Sequence, residues 1–454
     1  MDGPRRLSAD GGYQKGGGEQ NVRRSLRAVF LLLSLTLIGM ILDGCWSRRE
    51  IEELALIMAA ALDAEGENQV RLSAFIINPR EIGGGQPMGA GGGGGTRMPG
   101  EIVTAVADNF AEATRRLEEH IPRRVFWAHN RVIILGDGLA RRGLQSLDWF
   151  SRDRQMRLDT VVVLTEGEAR RVLDLPPGIE LNPGRIITGI LNSHVILKVE
   201  LKDLFAMWQA RGDNPVVPRV VLLSPDEHSG SKLQGREGRP GGGGEGGEGR
   251  EAPPAQAAPA AVRFDGAGVF KDDKLVGYLD HLETLGTMWL RGEVREGVIT
   301  FNCPAHPEGQ VAVRFYRSQT KVKPHVEGDK IRFLVKITAE GDLTEHTCDD
   351  SLKDPAQVRA MEEALRREVE KRAEAALDKA QKELKADIFG FGEVLHRQEP
   401  KFWKQVQDHW NEIFAGVEVK VEPRMEVRRV GMTYASVEAI RGNTGGKKTS
   451  PGGR

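Results

Sequence analysis

The chain has 454 residues, a formal net charge of -1 and 28% charged residues. That balance gives no global field for nucleic acid, and no run interleaves basic and aromatic residues as a nucleic-acid groove would. The length suits two or three domains, and outside two glycine-rich patches the chain alternates and punctuates like a folded protein.

Residues 1–22 are polar and glycine-rich and read as a disordered lead. Arg23, Arg24 and Arg27 then form a basic approach to an apolar run, Ala28 to Leu42. A charged segment follows at once. This is the layout of a secretory signal, and the run falls short of the ~20 apolar residues of a spanning helix. Its exit, Leu42-Asp43-Gly44-Cys45, is similar to a bacterial lipobox, with Asp43 departing from the small or apolar residue usual there. Cys45 is therefore the expected lipidation site, carrying diacylglycerol and an N-acyl chain, with an uncleaved signal anchor as the alternative. Arg48 and Arg49 stand where they would meet anionic head groups or simply be solvated. No second long apolar run occurs.

Past the cysteine, Ala55 to Ala64 and Gln69 to Asn78 flank a Gly-Glu-Asn turn and read as a hairpin, although the alanines at 59–61 equally suit a helix. Residues 83–100 form a glycine-rich loop without the lysine step of a phosphate loop. Apolar spacing predicts helices over Glu101–His120 and Gly138–Phe150. Strands are predicted over Arg124–Leu135 and Leu158–Leu164. A short helix is expected over Thr165–Leu175, and further helices over Ile186–His194 and Val199–Arg211. Val216–Leu223 reads as a strand. Alternating strands and helices give a mixed α/β or α+β class.

Residues 225–261 are a Gly/Pro-rich linker and the expected domain boundary, between an N-terminal region over 45–224 and a C-terminal α+β domain over 262–437. Within the latter, Val262–Phe270 and Lys274–Leu279 read as a hairpin, followed by a helix from Leu282 and a strand pair around Gly297. Val311–Pro324 and Lys330–Glu340 alternate strictly, as in an antiparallel sheet with one buried face. A long helix follows, capped by Asp354 with Pro355 at its first position. It should run to about Ala386, roughly 45–50 Å, with its alanine-rich half close against the sheet. Asp387–Gly392 breaks it. A helix over Glu399–Trp410 and a strand over Glu418–Val430 complete the domain, and 438–454 is a polar tail.

The chain contains no HExxH, GxSxG or paired CxxC, so an enzyme is not the expected reading. Cys303, His306, His346 and Cys348 leave three readings open: a Cys303–Cys348 disulfide, suited to an exported domain, a zinc site of atypical spacing, or unrelated cysteines. Phe389, Phe391, Phe402, Trp403, Trp410 and Phe414 read as core against the long helix, or else as an exposed docking patch. His396 and His409 have no paired ligand spacing.

Several stretches together resemble the Ger(x)C family, the C subunits of nutrient germinant receptors in spore-forming bacteria. They are GCWSRREIEEL, RVIILGDGLARRGLQSLDWFSRDRQMR, GAGVFKDDKLVGYLDHLETLGTMWLRGEV, AQKELKADIFGFGEVLHRQEPKFWKQVQDHWNEIF and VKVEPRMEVRRVGMTY. The resemblance implies a three-domain architecture, two of the domains lying before the linker. It implies a non-enzymatic lipoprotein on the outer face of the spore inner membrane. Its partners would be a membrane-embedded A subunit, a transporter-like B subunit and, through Cys45, the bilayer. A lipid-anchored solute-binding protein is the alternative; it would need two hinged lobes.

Overall fold

A computed structural model describes residues 25–34, 53–78, 99–176, 179–193, 196–224, 261–305, 308–348 and 352–429. Residues 25–34 form a helix in a unit of its own, Met1–Leu54. Its apolar side chains are exposed, Phe30 at 81%. The second unit, Ala55–Arg454, holds the rest of the fold. Among the described residues no helix is long and apolar enough to cross a membrane.

The strands of the described residues build two sheets, one of nine strands and one of four, with helices packed on them: a mixed α+β fold. In the larger sheet, β1 (Leu54–Glu65) and β2 (Gln69–Ile77) form the expected antiparallel hairpin. The alanines at 59–61 are strand residues with no measurable exposure. β1 pairs with β2 on one side and runs parallel to β5 (Val132–Gly136) on the other. Side chains of a strand alternate between faces, and small alanines let both faces be covered. Ala60, Leu62, Ile133, Leu135, Val162 and Leu164 join one core. Ala59, Ala61, Val132, Ile134, Val161 and Val163 join a second core on the opposite face.

The helix expected over Glu101–His120 is two elements. β3 (Gly100–Ala107) pairs with β2, and α1 (Phe110–His120) starts at Asn109, whose side chain accepts from the Glu112 amide at 2.9 Å. Ile102, Val103, Thr104 and Val106 are β-branched, and a neighbouring strand edge decides in favour of extension. The strand expected over Arg124–Leu135 is likewise interrupted. β4 (Arg124–Phe126) lies on β1, a 3₁₀ turn follows, and β5 comes after it. The helix expected over Gly138–Phe150 breaks at Gly143 into α2 (Asp137–Arg142), a 3₁₀ turn, and α3 (Asp148–Arg152). The helix expected over Thr165–Leu175 is a 3₁₀ turn, Ala169–Asp174.

β6 (Val161–Thr165), α4 (Pro183–Ser193), α5 (Leu201–Gln209) and β7 (Val216–Leu223) complete the N-terminal region. β7 then pairs antiparallel with β8 (Ala261–Lys271), and β8 with β9 (Lys274–Leu279). The two sides of the 225–261 segment thus share one sheet, ordered β3-β2-β1-β5-β6-β7-β8-β9.

The smaller sheet is ordered β10 (Gly297–Asn302), β11 (Gln310–Glu327), β12 (Lys330–His346), β13 (Glu418–Arg429). Around Gly297 there is one strand rather than a pair. β10 to β12 are antiparallel; β13 joins β12 in parallel. The helices between β12 and β13 return the chain to the end from which β12 began, so antiparallel pairing is closed to it.

α6 (His281–Arg291) carries the capping box Asp280/Glu283. α7 (Pro355–Asp378) is capped by Asp354 with Pro355 at its start, and continues as a π turn, Lys379–Leu384. Its stripe Met361, Leu365, Val369, Ala373, Ala376 and Ala380 is buried. The alanine half meets α6 as well as the sheet. A Cβ at Gly286 would stand 1.9 Å from the Arg372 carbonyl oxygen and 2.9 Å from the Ala376 Cβ, so only glycine permits this approach. α8 (Phe391–Gln398) follows the break, and α9 (Pro400–Val406), a 3₁₀ turn and α10 (Trp410–Phe414) stand where a single helix is expected over Glu399–Trp410.

Candidate functional site

The break after α7 puts a carboxylate in an apolar surrounding. Asp387 has no measurable exposure and lies among Ile388, Phe389 and Phe391. A buried carboxylate needs donors, and the loop supplies them. One oxygen accepts from the Phe389 amide at 3.0 Å; the other accepts from the Gly392 amide at 2.8 Å and from Trp410 Nε1 at 2.9 Å. Burial still pushes the Asp387 carboxyl above its ordinary range, against these donors. The donors tie the start of α8 and the start of α10 to one point. Around it Phe333 stacks on Phe391 at 4.9 Å, and Phe389, Trp410 and Phe414 close the cluster.

A second segment threads this loop from the other side. Asn214 donates from its backbone to the Asp387 carbonyl at 2.7 Å, and from its side chain to that carbonyl at 3.2 Å and to Asn411 Oδ1 at 2.7 Å. Its own Oδ1 accepts from the Asp272 amide. Gly212 lies backbone to backbone with Gly392: a Cβ on Gly212 would fall 2.4 Å from the Gly392 carbonyl carbon. Between them Asp213 pairs with Arg291 at 3.1 Å. Arg291 also donates to the Ile388 carbonyl at 2.7 Å and to Glu293 at 2.7 Å. Burial, with Asp387 and Glu293 nearby, pushes the Asp213 carboxyl up to about 7. Burial alone would lower the Arg291 value, but Asp213 and Glu293 outweigh it and raise it. The pair sits beside a cleft of about 740 Å³ whose walls include Met207, Leu290, Val322, Phe389 and Val394, with Lys198 and Arg397 also lining it.

Two family profiles match the chain: "Spore germination protein N-terminal domain" over residues 47–222 and "Spore germination B3/ GerAC like, C-terminal" over residues 265–431. The chain belongs to the Ger(x)C spore germination family. Spore germination protein KC of Bacillus subtilis (strain 168) is 27% identical over 421 residues, 90% of this chain and 97% of that protein. Spore germination protein B3 of the same organism is 24% identical, covering 88% and 96%. The fold is similar to the crystal structure of the GerBC protein, with a TM-score of 0.51 at 21% identity, covering 81% of this chain and 96% of that one.

In this Ger(x)C chain the N-terminal match ends within β7 and the C-terminal match begins within β8, the strands that pair. Asp213 and Asn214 belong to the first match, Arg291 and Asp387 to the second. The buried node therefore joins the two family domains. No catalytic or metal-ligand spacing marks it in the sequence. Its signal is a charged residue inside the otherwise apolar and glycine-rich run Asp387–Gly392, where a carboxylate is tolerated only with donors built around it.

Of the residues singled out from sequence, Cys45, Arg48, Arg49 and His306 lie outside the described residues. Cys303 and Cys348 are joined by a disulfide with Cα atoms 5.9 Å apart, which leaves no free thiolate for a metal. His346 is on β12. Among the described residues no cluster of three or more metal-ligating side chains occurs. Phe389, Phe391, Trp403, Trp410 and Phe414 are at most 5% exposed, and Phe402 packs on them half-buried, so these aromatics are core. His396 stacks on Trp403 at 5.7 Å, and His409 lies exposed 3.7 Å from Glu412.

Proposed function

We propose that the protein is the lipid-anchored, non-enzymatic subunit of a spore nutrient germinant receptor. Lipid on Cys45 holds it to the outer face of the inner spore membrane, beside a membrane-embedded A subunit and a transporter-like B subunit. The observation that carries this reading is the position of the lipobox-like cysteine: Cys45 comes two residues before the first family match, which starts at residue 47. Relatives that are spore germination proteins, matched over nearly their whole lengths, support the germination role. The exposed apolar helix over 25–34 suits a segment made for lipid or for removal.

The alternative of a hinged solute-binding protein is disfavoured. β7 and β8 pair from Val216–Val269 to Leu223–Ala261, so one sheet runs through the place where a hinge would have to lie.

The test is dipicolinate release from spores carrying Cys45→Ala, triggered by nutrients and, in parallel, by a non-nutrient trigger. The expected result is a nutrient response lowered at least roughly tenfold, as loss of membrane confinement would produce, with the control intact. A normal nutrient response, in spores lacking other receptors, would sink the tethered-subunit reading.

A further inference from the structure

The four-stranded sheet buries one face and leaves the other to solvent. On the solvent face β11 exposes Arg314, Tyr316, Arg317, Gln319, Lys321, Lys323 and His325, and residues 310–326 contain no Asp or Glu. Cations alternate with spacers at ~7 Å, and the ridge from Arg314 to His325 is about 35–40 Å long.

Asp342 on β12 stands opposite Arg314, but from Lys321 to His325 no carboxylate of a neighbouring strand faces the ridge. Lys321 stands directly opposite Lys336 on β12, and Lys323 opposite Leu334, which in turn faces Lys420 on β13. Like charges at opposed positions destabilise a sheet. Glu422 alone serves this group: it pairs with Lys336 at 3.7 Å and Lys420 at 2.8 Å. Among the described residues Lys321 and Lys323 have no ion-pair partner. Arg332 is held by Glu327 at 2.6 Å and lies opposite Glu418. Glu340, facing Arg317, is already held by Arg428 at 3.0 Å. The carboxylates of the face thus lie toward β13, at the hairpin tip and, with Asp342 and Glu345, beside the start of β11, leaving Lys321 to His325 the positive stretch. Beside the cations, Tyr316 is 49% exposed and Val298, opposite Arg314, 52%.

We propose that this β11 face docks on an anionic lipid bilayer. Lysines are mobile point charges, suited to a diffuse anionic surface rather than to fixed bidentate acceptors. Tyrosine belongs at the level of the head groups. The inference rests on the tethered reading. The chain from Cys45 to Leu54 spans at most roughly 30 Å when fully extended, and confinement at that range lets individually weak charge contacts act together.

The test uses the full chain, lipidated in a bacterial host and floated on phosphatidylcholine vesicles with or without phosphatidylglycerol. An acetylating ester labels the lysines, and mass spectrometry reads Lys321, Lys323 and, on α9, the exposed Lys401. Labelling of Lys321 and Lys323 should slow roughly fivefold on the anionic vesicles and recover at about 1 M salt, where charges are screened within ~3 Å; Lys401 should not change. Equal rates on the two vesicle types overturn the proposal while the tether stands. Protection seen only in native membranes, and not on vesicles, also overturns it and assigns the face to an acidic protein. A chain that does not float at all overturns tether and surface together.

Discussion

Asp213 is one of two carboxylates that pair with the guanidinium of Arg291, Glu293 being the other, and the Asp387 charge bears on Asp213 itself. Its carboxyl is raised by burial to about 7, from an unfolded value near 3.9. Between those values the folded chain holds a proton that the unfolded chain has released. The contribution of Asp213 to stability is therefore complete below pH ~4 and is lost as pH rises through about 7. Removing the charge should remove that slope. Asp213→Asn is expected to lose less melting temperature than the parent chain between pH 5 and 8, by about 1 kcal/mol or more, read as roughly 2–4 °C. Parallel melting curves across that range would contradict the assignment. Truncating Arg291 would be a different experiment, because it strands buried carboxylates and costs ~3–5 kcal/mol.

Among the elements, α6 and α7 show how close packing is obtained from small residues. Alanine along one half of α7 and glycine at 286 bring backbone within reach of backbone, and the Arg372 carbonyl occupies the space where a Cβ would be. Gly286→Val should cost about 3 kcal/mol, the upper range for overpacking, measured as a lower urea midpoint. An unfolding free energy within ~0.5 kcal/mol of the parent, the usual range for a surface substitution, would show that the helices separate freely. The long helix, its cap and its stripe were legible in the sequence, because spacing at three and four over many turns has one solution. So were the β8–β9 and β11–β12 hairpins, where strict alternation meets short turns. Glu101–Ala107 was not: its apolar residues fit helical spacing, and only the unseen edge of β2 makes it a strand. The breaks at Trp127–His129 and Gly143 were hidden for the same reason, since each is set by packing between distant segments. Parallel pairing of β13 cannot be read from a strand's own pattern. Asp387 was visible as an oddity in an apolar run, yet its partners Asn214 and Trp410 come from far along the chain.

At the scale of the whole molecule, the two family domains are fastened by the β7–β8 ladder, by the node around Asp387 and by contacts such as the Leu144 amide donating to the Asp273 carbonyl at 2.8 Å. The connection over 225–260 is then a length of chain between neighbouring strand ends, since Leu223 stands opposite Ala261. Replacing 225–260 by a short Asn-Gly turn should leave the fold intact and add up to about 2 kcal/mol through the lower entropy of closing a shorter loop. Circular dichroism and thermal melting would check it. An unfolded product would mean that this segment holds the domains together and that the ladder alone does not.

The parallel docking of β13 also has a consequence for the order of assembly. β13 is the last strand of the smaller sheet to be made, yet its place is beside β12, the sheet's longest-range pairing. Until it arrives, β12 presents a bare edge of amides and carbonyls, the kind of edge that recruits other chains. Lys330, Arg332 and Lys336 on that strand are the charges that discourage such recruitment. A chain truncated or paused between His346 and Glu418 would therefore carry every strand of the larger sheet but a smaller sheet whose β12 edge is unpaired and held off from other chains only by those charges, and quality control would meet the molecule at that edge first.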